Sequence, residues 1–235
     1  MGIPERKERE KERRKEEILD AAHRVFVEKG LTTATVDDIA AAAELSKGTL
    51  YLYFDSKEDI YIALMMRGLR LLYGKFDNII IGETSVVKIL HRIEGEYIEF
   101  FNNDRHFFRM MDSAHRPNVH KEISEEMRNL YKSESQKNWA QIIELFDRGV
   151  REKKIRDDIN PVDMAIIIWS NATSLMTRID REGDIWLKER NIDLMKTLEA
   201  SFHLLMDAIL TGEGRAEYEA LLEDEYVKHD NLRNQ

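Results

Sequence analysis

The stretch Thr35-Val-Asp-Asp-Ile-Ala-Ala-Ala-Ala-Glu-Leu-Ser-Lys-Gly-Thr-Leu-Tyr-Leu-Tyr-Phe-Asp-Ser-Lys57 decides the fold. Thr35 precedes Val36, Ile39, Ala40 and Ala43, an apolar face at helical spacing, and Asp38 stands at the reciprocal capping position. After Glu44 and Leu45, Ser46 offers a second N-cap, and Leu50 and Phe54 form an inward pair four residues apart. The pattern predicts two short helices joined by a tight turn, then a third helix capped by Ser56. Lys47, Gly48, Thr49, Tyr51 and Tyr53 are left facing outward. A first turn that displays a cation, bare backbone, a hydroxyl and two phenols suits a DNA major groove. The plainer alternative is a three-helix packing unit with tyrosines on its surface.

These residues resemble the TetR family of bacterial transcriptional regulators. The resemblance runs from about Ile18 through Leu64. It covers Ala21-Ala22 and Phe26 before Gly30, Thr35-Val36-Asp37-Asp38-Ile39-Ala40, and Ser46-Lys47-Gly48-Thr49-Leu50-Tyr51-x-Tyr53-Phe54-x-Ser56-Lys57-Glu58. It implies an all-α chain, with a three-helix helix-turn-helix head followed by a helical ligand-binding and dimerisation domain. It further implies that Thr35 touches a phosphate and that Lys47, Gly48 and Thr49 approach bases or backbone. Tyr51 and Tyr53 would contact bases or phosphates, and Lys57 would hold a phosphate. The family usually has Gly where this chain has Glu44, in a turn whose left-handed backbone suits Gly best. Glu44 therefore predicts a mildly strained or altered turn, with an acid close to the DNA-facing surface.

A chain of 235 residues can bury a sizeable core in one or two domains. It has no cysteine, which fits a reducing cytoplasm and excludes thiolate chemistry. The longest apolar run, Met164 to Trp169, falls far short of the ~20 residues that a membrane span needs, and no signal peptide is visible. The net charge of −9 opposes nucleic acid on its face. Charge acts locally, however, within a Debye length of ~8–10 Å. Residues 1–60 hold eleven Lys or Arg against fourteen Asp or Glu, so any DNA contact must use locally placed cations. Modest non-specific affinity is the expectation.

Three regions are expected: a charged extension over 1–17, the helix-turn-helix head over 18–56, and an effector-binding and dimerisation domain over 57–235. In the extension, Glu5 can meet Arg9 and Glu10 can meet Arg13 or Arg14 at helical spacing. No apolar residue follows until Ile18, so this segment is either a solvated helix or a basic arm for a flanking minor groove. The first core helix ends at Lys29-Gly30. The helix beginning at Lys57 reaches about Asp77, and Gly82 to Ser85 breaks the chain. Val86, Leu90, Ile93, Tyr97 and Phe101 then share a stripe. A short helix to about His115, the interruption Pro117-Asn118 and a long helix to about Lys153 follow. The tail from Arg215, with Tyr218, Leu221, Leu222 and Tyr226, reads as an extra amphipathic helix.

Asn160-Pro161 opens a helix in which Ala165, Ile168, Ala172, Leu175 and Ile179 alternate spacings of three and four. Met195, Leu198, Phe202, Leu205 and Ile209 repeat the pattern. Two such seams suit a four-helix bundle between two subunits, although both can also bury inside one chain. The resemblance favours the homodimer. A two-fold dimer presents its reading helices to grooves ~34–36 Å apart and so asks for a roughly palindromic operator on double-stranded DNA. Tyr97, Phe101, Phe108, Met111, His115, Tyr131, Trp139, Phe146, Trp169 and Asn171 are candidates to line a chamber for a small apolar or aromatic effector. No catalytic residue, cofactor or metal site is expected: no two histidines stand four apart, and Glu199 with His203 makes only a surface pair. The function expected is a ligand-responsive repressor. A helical-bundle enzyme or an interaction scaffold is the alternative.

Overall fold

The computed structural model describes residues 3–114 and 122–233. Ten helices are found among them: α1 (Ile3–Thr33), α2 (Val36–Ala42), α3 (Lys47–Leu50), α4 (Lys57–Gly82), α5 (Val86–Asn103), α6 (Arg105–Ala114), α7 (Glu125–Arg151), α8 (Pro161–Arg190), α9 (Leu194–Ile209) and α10 (Gly212–Arg233). Among the described residues an isolated bridge joins Ile155 and Leu210. The expected interruption at Pro117-Asn118 lies outside the described residues. No helix among those described is long and apolar enough to cross a membrane.

The chain divides into two compact units, residues 1–71 with 109–135, and residues 72–108 with 136–235. The boundary expected at residue 57 therefore falls elsewhere, because the first half of α4 packs with the head and a returning segment joins it. Two contacts explain that return. Asp59, almost wholly buried, accepts the Ser124 N–H at 2.8 Å, and the Tyr61 hydroxyl donates to the Met110 carbonyl at 3.2 Å. Neither contact is local in sequence, so helical periodicity does not reveal them.

In the first unit, Ile18, Ala22, Phe26, Ile39, Leu50, Phe54 and Ile60 are buried together. The Phe26 and Tyr61 rings meet edge to face with centroids 5.1 Å apart. Gly30, with φ 71°, breaks α1 at the expected stop. Arg67 holds Glu16 at 3.0 Å and Asp20 at 2.7 Å, fastening α4 to α1. Before Ile18 the helix is mostly exposed. Its pairing differs in detail from expectation: Arg13 and Arg14 turn to Glu17, at 3.4 and 2.6 Å, rather than back to Glu10.

In the second unit, Asn160 caps α8 through the N–H groups of Val162 and Asp163, and Asn191 ends it in a left-handed conformation. Asp193 then caps α9. The core gathers Ile79, Val86, Ile89, Leu145, Phe146, Ala165, Met206 and Ile209, with Leu221 and Leu222 packed against it. The tail helix α10 is docked: Tyr218 is buried, Glu217 accepts from Ser85, and Lys154 meets Glu213 and Glu217 at 2.7 and 3.0 Å.

Candidate nucleic-acid interface and internal chamber

The reading turn is assembled by two caps. Thr35 and Asp38 form a reciprocal box, Asp38 N–H donating to Thr35 Oγ1 at 3.1 Å and Thr35 N–H to Asp38 Oδ2 at 3.0 Å. Lys29 closes on Asp38 at 2.7 Å. That ion pair, with the Thr35 hydrogen bonds, holds the Asp38 carboxyl down to about 2. Ser46 Oγ accepts the Thr49 N–H at 3.1 Å. With Leu50 and Phe54 buried, Lys47 and Gly48 are exposed, Thr49 and Tyr53 are half-buried, and Tyr51 is 45% exposed. Leu52, which the periodicity did not single out, is 76% exposed. Its position two residues from each inward anchor was the available signal. Lys47 leans on Asp37 at 3.1 Å, an exposed pair that water screens heavily.

Glu44 adopts φ 56°, so the left-handed turn expected there exists and is occupied by an L-residue. Two expected phosphate contacts meet competition. Both Thr35 donors are directed to Asp38. Lys57 Nζ donates to the carbonyls of Leu31 and Ala34 at 2.8 and 3.0 Å, tying the end of α1 to the start of α4.

A chamber of about 90 Å³ lies inside the second unit. Its wall is built by Phe76 of α4, Leu90, Ile93, Glu94 and Tyr97 of α5, Ile142, Leu145 and Phe146 of α7, Ala165, Ile168 and Trp169 of α8, and Phe202, Leu205 and Met206 of α9. An apolar cavity of ~150 Å³ takes one benzene, so the chamber as it stands seats only a few heavy atoms. Tyr97 stacks near Trp169, with centroids 5.4 Å apart, and its hydroxyl lies 3.4 Å from Thr173 Oγ1. Burial pushes the Tyr97 phenol far up, so it stays neutral.

Residues 18–64 match the model of the bacterial regulatory proteins of the tetR family. These residues form a TetR-family DNA-binding head. The HTH-type transcriptional repressor KstR2 of Mycobacterium tuberculosis is 28% identical over 175 residues, which cover 72% of this chain and 82% of that protein. Among solved structures, the fatty acid degradation regulator FadR from Bacillus halodurans superposes with a TM-score of 0.64 at 22% identity, covering 82% of this chain and 94% of that one. FadR from Bacillus subtilis, solved in complex with stearoyl-CoA, gives 0.63 at 19% identity, covering 81% and 96%. These relatives are transcriptional regulators, not enzymes. Among the described residues no group of His, Asp or Glu is arranged to hold a metal ion.

Of the ten expected chamber residues, the fold brings Tyr97, Phe146 and Trp169 to the wall. Phe101 and Phe108 instead pack on each other at 4.9 Å in the core. Trp139 stands behind Trp169 at 6.1 Å, and Asn171 donates to Ser201 at 2.8 Å, joining α8 to α9. Met111 and Tyr131 belong to the first unit, and His115 lies outside the described residues. The two seams are also relocated. Ala165, Ala172, Ile179, Leu198, Phe202 and Ile209 are buried within one chain, while Ile168, Leu175, Met195 and Leu205 are half-buried. Ala165, Ile168, Phe202 and Leu205 face the chamber. Spacing of three and four specifies that a face is covered, not which molecule covers it. His203 does not pair with Glu199 as expected; its Nδ1 lies 2.7 Å from the Tyr218 hydroxyl.

Proposed function

We propose that this TetR-family chain is a ligand-responsive repressor that binds a roughly palindromic operator as a homodimer. One observation carries the reading: the turn from Lys47 to Tyr53 exposes Lys47, Gly48, Tyr51 and Leu52, with Thr49 and Tyr53 half-buried beside them, while Leu50 and Phe54 anchor it from beneath. Lys47, Gly48, Thr49, Tyr51 and Tyr53 then approach bases and phosphates, and the Leu52 side chain suits a thymine methyl. Thr35 and Lys57 contribute by holding the turn, and a phosphate contact from either requires it to share donors already engaged.

The dimer surface is the outer face of the last long helices rather than the two seams. On α8, Ile166, Ile167, Ser170 and Ser174 are exposed; on α9, Thr197, Ala200, Leu204 and Ala208 are exposed, Leu204 at 71%. Small residues beside large apolar ones allow two such faces to approach closely.

A small apolar or aromatic effector occupies the chamber. That a neighbouring fold was solved with stearoyl-CoA supports a body able to hold a ligand. Helix α4 carries Lys57 at one end and the wall residue Phe76 near the other, so a ligand that displaces Phe76 acts on the helix that starts beneath the reading turn. Emptying an operator from 99% to 1% bound requires a ~10⁴-fold preference for the released state. Selection of bound DNA from a random pool tests the reading. An enriched sequence with two-fold symmetry supports it, whereas no enrichment, or a monomer at micromolar concentration in sedimentation, removes it.

A further inference from the structure

The chamber wall holds one acid. Glu94 lies on α5, one turn before Tyr97, and its side chain is 11% exposed. Every other wall residue is aliphatic or aromatic apart from the neutral Tyr97 phenol and the Met206 thioether. A carboxylate kept in an apolar enclosure loses hydration, and that loss is recovered by an opposite charge or a strong donor. On the same helix, His91 Nδ1 stands 3.9 Å from Glu94 Oε2, too far for a hydrogen bond. His91 is not part of the wall, so a molecule entering the chamber meets the carboxylate and not the imidazole.

We propose that the chamber selects a compact apolar molecule bearing a protonated amine or quaternary ammonium, which pairs with Glu94 among the Phe76, Tyr97 and Trp169 rings. This rests on the chamber being the effector site. The rings add to the selection, because a cation is drawn to aromatic faces and an anion is not. A ligand that enters head-first as a carboxylate sets like charges side by side at low dielectric, where repulsion is strongest. The small volume also favours a compact arylalkylamine over a long acyl chain: both must displace wall side chains, and the acyl chain must displace far more of them.

The test uses three molecules of nearly equal shape, 2-phenylethylamine, 2-phenylethanol and phenylacetate, with stearoyl-CoA as a fourth probe. Binding to the full chain is read directly by calorimetry and by Trp169 fluorescence, with Trp169→Phe assigning the signal. The amine is expected to bind at least ~10-fold more tightly than the acid, and Glu94→Gln to remove that preference while weakening the amine roughly 30-fold. Equal or tighter binding of phenylacetate by the native chain overturns the proposal, even where Glu94→Gln fails to fold. So does an amine affinity that Glu94→Gln leaves unchanged, or stearoyl-CoA as the one probe that binds. Release of operator is measured separately. An amine that binds with Glu94-dependent affinity but leaves the operator occupied supports the charge selection and sinks the effector reading. Binding and operator release by stearoyl-CoA, with no binding of the amine, sinks the charge selection.

Discussion

The turn from Ser46 to Phe54 and the helix pair α8–α9 obey one rule, apolar residues three or four apart, with opposite consequences for what a sequence discloses. In the turn, Leu50 and Phe54 are the anchors available, so burying them leaves the remaining side chains outside by elimination. In α8 and α9 the apolar residues exceed one face. The alternating seam goes inward, and a second set, from Ile166 to Leu204, stays on the surface. Surplus apolar surface is the sign of a partner, and the seam alone is not.

The largest effect that sharpens this contrast comes from Leu204→Arg. A guanidinium at the centre of the outer α9 face leaves the single chain intact, because the side chain is already 71% exposed. It sets two buried cations against each other in a two-fold dimer. Sedimentation is expected to give a folded monomer, and gel retardation a roughly thousandfold loss of operator affinity, since one half-site is released. A variant that stays dimeric sends the interface elsewhere.

Leu198→Ala is the counterpart on the inner seam. Leu198 is fully buried within one chain, so the change is expected to remove about 2–5 kcal/mol of stability. Thermal unfolding reads that loss, while sedimentation of the native fraction stays unchanged. If the dimer dissociates without loss of unfolding temperature, the seam belongs to the interface after all.

Much of the head was legible because its determinants are local. The Thr35–Asp38 box, the Ser46 cap, the Gly30 stop and the left-handed Glu44 each depend on residues within four positions. The chamber was legible only in kind. Its wall draws from five helices, and the seam residues Ala165, Ile168, Phe202 and Leu205 became part of it because α8 and α9 pack on the same core. Glu94 went unremarked because an acid within an amphipathic helix usually faces water, and nothing local distinguishes one that does not. Lys57 misleads for a similar reason. Its motif position suggests a phosphate, but the carbonyls it holds come from more than twenty residues upstream.

Within the head, Tyr51→Ala separates reading from folding. Tyr51 is 45% exposed at the end of α3, so stability should move by no more than about 0.5 kcal/mol. Operator affinity should fall about tenfold, as for loss of one good base or phosphate contact. Equal loss of affinity for unrelated DNA identifies a phosphate contact, and selective loss identifies a base. A fall in unfolding temperature with operator affinity intact places Tyr51 in the packing instead.

The smallest effect concerns the turn itself, where Glu44→Gly and Glu44→Gln divide two costs that one residue combines. The left-handed φ of 56° strains an L-residue by roughly 1 kcal/mol, and Gly relieves this while adding freedom to the unfolded chain. A net gain of about 0.5 kcal/mol in stability is expected for Gly and none for Gln. Both remove an exposed acid near the reading surface, so both should raise operator affinity a fewfold at low salt and less at high salt. A salt-independent gain with Gly alone assigns the whole effect to backbone geometry, and the position then shapes the angle between α2 and α3 rather than the local charge.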